Sequence, residues 1–319
     1  MSGRRWAMVC TACCAVLLTS ACLAPKGETP SSSIATPAAS RSASPLGPPS
    51  TSVTPTPAPS AARQPTRAED FDPANFHHPT DITNTYLPMV PGTRLRWEGH
   101  AFDDGEKVSR AIESTVTGLT KEIAGVETVV ALDRDFTEGK AEEVELTFYA
   151  QDDFGTVWYF GEYSEEYDDA EIVKSPLWLA GLQGARAGVM MQAAPGTGQP
   201  DYAEGLGPAV GWNDRAKVDQ VGVRDCVRTG CYDDVVVIAE FNVDEPGRTQ
   251  LKSFAPGVGG IRTGYRGAQE TEREQLQLVA RHRLTAATLK DVEEDVRDEE
   301  GRAYQRSPRV YGKTARMKS

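Results

Sequence analysis

Arg94-Leu-Arg-Trp-Glu-Gly-His-Ala-Phe102 alternates polar and apolar residues. Alternation with a period of two sends successive side chains to opposite faces of an extended chain. The stretch therefore predicts a β-strand with one apolar face. The same pattern recurs downstream in Lys107 to Thr117, with Val108, Ile112 and Val116, and in Gly125-Val-Glu-Thr-Val-Val-Ala-Leu132. It continues in Glu143-Val-Glu-Leu-Thr-Phe-Tyr149 and Thr156-Val-Trp-Tyr-Phe-Gly-Glu162. Turn residues separate these runs at Asp103-Asp104-Gly105, Gly118, Glu138-Gly139 and Asp152-Asp153-Phe154-Gly155. Strands of this length joined by short polar turns predict an antiparallel meander with one apolar face.

From Tyr163 to Gly222 the chain is richer in Gly and Pro and reads as irregular. Strands resume at Val235-Val-Val-Ile-Ala-Glu-Phe-Asn-Val243 and Gln250-Leu-Lys-Ser-Phe254, and a short strand follows Ala255-Pro-Gly-Val-Gly-Gly-Ile-Arg262. Gln275-Leu-Gln-Leu-Val-Ala-Arg-His-Arg-Leu284 is the last strand expected. Beyond it, Leu289, Val292, Val296 and Tyr304 recur near helical spacing among Asp, Glu and Arg. They predict a charged helix over about 286–305, capped by Thr285 or Thr288 and touching the sheet by one narrow stripe. Residues 313–319 read as a frayed tail. The expected fold is mainly β: a curved, half-barrel-like antiparallel sheet with a charged C-terminal helix, α+β in detail, spanning 69–312.

The N-terminus carries a different message. Arg4 and Arg5 precede an apolar stretch from Trp6, which closes with Leu17-Leu-Thr-Ser-Ala-Cys22. A secretory apolar core needs only about 7–15 residues, and a membrane span needs about 18 or more. Among the early cysteines, which include Cys10, Cys13 and Cys14, Cys22 alone follows both the full apolar stretch and a small residue. Residues 1–22 are therefore expected to be a lipoprotein signal peptide. Cleavage would leave Cys22 to carry diacylglycerol with palmitate-type chains, anchoring the protein on the extracytoplasmic face of the cell membrane. Residues 23–68 are dominated by Ser, Thr, Pro and Ala and carry too little apolar surface to fold. They are expected to be a disordered spacer, and Ser and Thr beside Pro are candidate sites for O-linked sugar.

The chain carries a formal charge of −12. Residues 1–68 hold six basic residues (Arg4, Arg5, Lys26, Arg41, Arg63, Arg67) against the single acid Glu28, so the folded part is more negative still. Such a surface disfavours nucleic acid and anionic head groups. Cys226 and Cys231 are the two cysteines beyond the processed N-terminus. In an oxidising compartment they are expected to form a small-loop disulfide. A redox pair has two intervening residues and opens a helix, and a zinc site needs two further ligands; neither condition is met here.

Four further pieces occur together: Asn84-Thr-Tyr-Leu-Pro-Met-Val-Pro-Gly-Thr93 leading into Arg96-Trp-Glu-Gly99, Val157-Trp-Tyr-Phe-Gly-Glu162, Phe254-Ala-Pro-Gly-Val-Gly259 and Ser307-Pro-Arg-Val-Tyr-Gly312. As a set they resemble a group of bacterial exported proteins and lipoproteins with no established activity. The resemblance covers about residues 70 to 312 and implies an address and a β-rich fold, but no reaction. The Trp178–Met191 stretch is similar to that group's Gly-rich middle, with Leu179 standing where the group has an acid.

The candidate chemistry is sparse. His77 and His78 are adjacent and point opposite ways on an extended chain. His100 and His282 lie in alternating strands. No nucleophile elbow or His-Glu-x-x-His is present. The run Glu162-Tyr-Ser-Glu-Glu-Tyr-Asp-Asp-Ala-Glu171 reads as an acidic loop without the spacing of a calcium loop. Gly257, Gly259 and Gly260 read as a tight turn, because no helix follows to hold a phosphate. Trp158, Trp178, Met190 and Met191 are the expected lining of an apolar groove. The expectation is a monomeric envelope lipoprotein without a cofactor, binding an apolar or amphiphilic ligand or an envelope partner. Its rivals are a carboxylate-dependent hydrolase of cell-wall material and a surface scaffold recognised by a flat aromatic patch.

Overall fold

A computed structural model describes residues 70–319. The signal segment, Cys22 and the linker lie outside the described residues. Strands β1 (Thr93–Asp103), β2 (Glu106–Ile123), β3 (Val126–Thr137), β4 (Lys140–Gln151) and β5 (Val157–Asp168) form a first meander. Three of its four hairpins turn at Asp104-Gly105, Ala124-Gly125 and Glu138-Gly139, where both residues have positive φ. That is the type I′ geometry whose twist matches a two-residue hairpin. Five short strands follow: β6 (Glu171–Lys174), β7 (Leu177–Leu179), β8 (Arg186–Met191), β9 (Tyr202–Ala203) and β10 (Gly205–Leu206). A second meander comprises β11 (Arg215–Val227), β12 (Gly230–Phe241), β13 (Thr249–Ala255), β14 (Gly259–Arg266) and β15 (Gln275–Arg283). Helix α1 (Ala286–Arg306) closes the series.

β15 pairs with β1 and so joins the meanders into one large antiparallel sheet. The order runs β10-β8-β5-β4-β3-β2-β1-β15-β14-β13-β12-β11-β9, with β6 and β7 also on β5. The sheet is open, as its end strands do not pair with each other, yet β9 and β10 are neighbours in sequence. Tyr202 and Ala203 pair with β11, and Gly205 and Leu206 pair with β8. Five residues thus bridge the two ends and fix a strong curvature. A Cβ on Gly188 would sit 2.2 Å from the Gly205 nitrogen, and one on Gly205 would sit 2.6 Å from Trp178 Cη2. Only glycine lets the bridge lie this close to β8 and to the Trp178 ring.

One face of the first meander is apolar, as the alternation predicted. Val130, Leu132, Leu146, Phe148, Trp158 and Phe160 are buried there with Val292, Val296 and Ala303 of α1 and with Tyr311. Phe71 and Phe76 close the same core, with ring centroids 5.5–6.2 Å from those of Trp158 and Phe160. The helix begins where expected, with the Thr285 hydroxyl accepting from Thr288 N at 3.1 Å. Its stripe is broader than the sequence suggested, because Glu299 and Glu300 are buried beside Val292 and Val296.

Four expectations need correction. Gly118 is not a turn but part of a bulge within the long β2, where the ladder to β3 shifts between Val116 and Thr120. The Gly118 N–H, turned out of the ladder, donates to Glu293 Oε1 at 2.8 Å. The acidic run Glu162–Glu171 is not a loop, since most of it is strand β5. β11 lies partly in the region read as irregular. Its ladder with β12 shifts register three times, which erases the alternation that marks a strand. Nor is the tail frayed: Lys318 bridges to Thr120, and Met317 is 6% exposed.

The tail is held by a buried charge. Lys121 Nζ is enclosed by Glu300 Oε1 at 3.0 Å, the Ala315 carbonyl at 2.6 Å and the Tyr311 ring, whose centroid is 4.3 Å away. Met317 N donates to the same Glu300 oxygen. Removing one member of such a pair strands the other in a dry site. Glu300→Ala is expected to lower unfolding free energy by about 3–5 kcal/mol in urea titration. The double change Lys121→Met with Glu300→Met is expected to recover most of the loss, because no charge is then left behind.

Candidate functional site

The other face of the first meander should meet water by the ordinary logic of a half-buried sheet. Curvature turns it inward instead. Cross-strand register places Ser114 opposite Asp133, Asp133 opposite Glu145, Thr147 opposite Glu162, and Tyr149 opposite Tyr159. These side chains line a cavity of about 170 Å³. Leu87, Pro88 and Met89, from the segment before β1, line it with Leu95 and Trp97 of β1. Phe254 of β13, Val258 of the following turn and Leu276 of β15 complete an apolar wall. Trp97 is fixed by its Nε1, which donates to the Gly260 carbonyl at 3.0 Å. Two basic residues, Lys252 and Arg262, also line the cavity. Lys252 Nζ lies 2.6 Å from Glu240, and Arg262 engages both oxygens of Asp225.

The floor is acidic and dry. Asp133 is 8% exposed and Glu145 3% exposed. The Thr147 hydroxyl donates to Asp133 Oδ2 at 3.0 Å, and Asp133 Oδ1 has no hydrogen-bond partner. The Tyr159 hydroxyl donates to Glu162, and the Tyr149 ring stacks on Tyr159 with centroids 5.0 Å apart. Burial pushes the Asp133 carboxyl up, against the opposing hydroxyls of Ser114 and Thr147. Burial and then the charges of Glu143, Glu162, Asp135 and Asp133 raise Glu145 well above the ordinary range. Next along the same face, burial and neighbouring carboxylates lift Asp135 to about 7, despite Arg110 at 2.9 Å. The Ser164 hydroxyl donates to Glu143, which burial and Asp135 also raise. The arrangement can donate protons or hydrogen bonds when neutral and can accept a cation when ionised. Among the described residues, no group of three or more His, Cys, Asp or Glu is placed to hold a metal ion.

The four groove residues expected from sequence are not brought together. Met190 lines the cavity. Trp158 and Met191 belong to the core on the opposite face. Trp178 stacks on Trp212, with centroids 5.9 Å apart, under the Tyr202–Leu206 bridge. Cys226 and Cys231 form a disulfide across the β11–β12 hairpin. The acidic run splits by strand alternation. Glu162 faces the cavity, whereas Glu165 is gripped through both oxygens by Arg302 of α1. Sequence reasoning passed over Asp133 and Glu145, although the alternation of Glu143-Val-Glu-Leu-Thr147 displayed Glu145: an acidic face looks like a wet face until the curvature of the sheet is known.

No protein-family model and no curated protein matches the chain. Two solved structures are similar at a distance. One is described as an exported protein with a YmcC-like fold from Bacteroides fragilis, 13% identical with a TM-score of 0.37. The other is described as a lipoprotein from Parabacteroides distasonis, 11% identical with a TM-score of 0.34. Each match covers 62% of this chain and 99% of the other. Likenesses this distant leave the function to be read from the chain's own residues.

The raised acids set the direction of the pH dependence. A carboxyl whose folded pKa exceeds its unfolded value binds more protons in the native state, so stability falls as pH rises between the two. Asp135, Asp214 and Glu272, each pushed up to about 7 chiefly by burial, place that window between about pH 4 and pH 7. The exposed Glu138, Asp153 and Asp201, the Arg266-bound Asp219 and the Arg302-bound Glu165 shift the other way. Thermal melts are expected to give a higher Tm at pH 5 than at pH 8. Asp135→Asn is expected to flatten the difference.

Proposed function

We propose that this chain is an envelope lipoprotein, anchored through diacylglyceryl-Cys22, that binds an amphiphilic ligand in its curved sheet and performs no chemistry on it. The observation that carries the reading is the cavity's two-sided lining. Trp97, Leu95, Met89 and Val258 offer a surface for an apolar chain, and Asp133, Glu145, Thr147 and Glu162 offer a polar floor. Binding sites for small molecules commonly combine a mostly apolar enclosure with a few fixed polar groups. The N-terminal sequence supports the address: a basic start, a short apolar core and a small residue before Cys22. The spacer that follows is long enough, at up to about 3.1 Å per residue when extended, to stand the domain off a bilayer by several nanometres. Among the described residues no helix is long and apolar enough to cross a membrane, so anchoring in this reading falls to the lipid.

The rival readings draw less support. A hydrolase working through Glu162–Glu171 needs those acids to converge, but strand alternation divides them between two faces. A partner-binding face needs a contiguous apolar patch. The large hydrophobic residues exposed among the described ones are Val90, Val173, Val221 and Val243, at four separate places along the chain.

Purified protein extracted with organic solvent and analysed by mass spectrometry is expected to release a stoichiometric amphiphile. A sheet recovered empty, with the cavity filled by its own side chains in a crystal structure, would oppose the reading. Cys22→Ser is expected to leave an unprocessed precursor of higher mass and to abolish metabolic labelling by palmitate. A variant that is still matured and still labelled would rule out the anchor.

A further inference from the structure

The cavity's polar end is more selective than an amphiphile site needs. Three carboxylates meet there by register: Asp133 faces Glu145 across β3 and β4, and Glu162 lies on β5 opposite Thr147, two residues along from Glu145. Facing side chains in an antiparallel pair have Cβ atoms about 5 Å apart, which sets Asp133 beside Glu145, while Glu162 is the diagonal neighbour of Glu145 on the next strand. All three line the cavity. A second observation is independent of the clustering. Asp133 lines the cavity and is only 8% exposed, and its Oδ1 is buried without a hydrogen-bond partner. Buried polar atoms are nearly always satisfied, and an unsatisfied one calls for an explanation such as a missing ligand. The basic residues of the wall do not supply it, since Lys252 is engaged with Glu240 and Arg262 with Asp225.

We propose that the ligand is a cationic amphiphile, an alkyl chain ending in a primary ammonium, with the head seated among Asp133, Glu145 and Glu162 and the chain lying along Trp97, Leu95 and Met89. The inference rests on the amphiphile-binding reading above and narrows its ligand class. An ammonium brings three donors and no acceptor, which suits a floor of acceptor oxygens. Its charge offsets the mutual repulsion that crowded carboxylates meet on ionising, and in a dry site that attraction exceeds its value in water.

Isothermal titration of the full-length protein with dodecylamine, dodecanol and dodecanoate, each below its micelle concentration at pH 7, tests the proposal. Dodecylamine is expected to bind at least about tenfold more tightly than dodecanol, and dodecanoate most weakly, as one or two charge-assisted hydrogen bonds would give. Asp133→Asn and Glu162→Gln keep side-chain size and are each expected to weaken dodecylamine about tenfold while leaving dodecanol within about twofold. Unchanged melting curves would establish that both variants are folded. If one fails to fold, the other carries the comparison. Equal affinity for amine and alcohol would overturn the ammonium assignment and leave the amphiphile reading intact. Tightest binding by dodecanoate would also overturn it and would move the head group to Lys252 and Arg262. Binding of none of the three would overturn both.

Discussion

Five residues, Tyr202–Leu206, hold the rest in place. They pair with β11 at one end of the sheet and with β8 at the other, and so turn a long ribbon of strands back on itself. Without that tie, the acidic face of β3, β4 and β5 would be an ordinary wet surface. With it, the same face becomes the inside of a cavity. The tie depends on close backbone approach at Gly188 and Gly205 and on the stacked Trp178 and Trp212 beneath it. It also carries a buried acid: Glu204, at its centre, is raised well above the ordinary carboxyl range by burial and then by Glu240. The closing segment and the cavity floor thus share one chemistry, acids kept from water.

Buried acids are a liability to folding unless a partner or a use accounts for them. Strand β5 lets the two cases be compared three residues apart. Glu165 points to the helix side, where Arg302 grips both of its oxygens, two tyrosine hydroxyls add to the hold, and its pKa is lowered. Glu162 points to the cavity side, where Tyr159 donates to it and the strongest charges on the neighbouring Glu145 are other carboxylates. The chain therefore has the means to neutralise a buried acid with arginine, and it applies them beside α1 at Glu165 and, further along the cavity-side face, at Asp135. Sites kept for ligands commonly carry this kind of stability penalty.

Much of the fold was legible in the sequence because period-two alternation is a local property. The runs from Arg94 to Glu162 and from Val235 to Leu284 became strands close to where they were expected, and Thr285 capped the helix. What escaped was decided by distant contacts. Gly118 looked like a turn because glycine usually breaks a strand, yet the strand continues through a bulge closed by Glu293, far along the chain. β11 lost its alternation to three register shifts. The tail looked frayed because its anchor, Lys121, lies nearly two hundred residues earlier. The groove residues were chosen for aromatic and thioether character, and that criterion finds cores as readily as cavities. Trp158 and Met191 went to the core accordingly.

The cavity was hidden for a further reason. A polar strand face has the same pattern whether it meets solvent or a cavity, so residue type cannot distinguish the two. Only closure does, and closure is set by a segment with no alternation of its own: Asp201-Tyr-Ala-Glu-Gly-Leu-Gly207, two short pairings on either side of Glu204. One feature of the sequence does bear on the choice. Solvent-facing positions on a strand usually mix Lys, Arg, Thr and Glu, since like charges opposite one another repel. Here Asp133, Asp135, Glu143, Glu145, Glu162 and Glu166 fall on one face of three adjacent strands. Arg110 answers Asp135 and Lys174 answers Glu166 at one end of this array, and the proposed ammonium would answer the other, where like charges opposite one another are otherwise unfavourable.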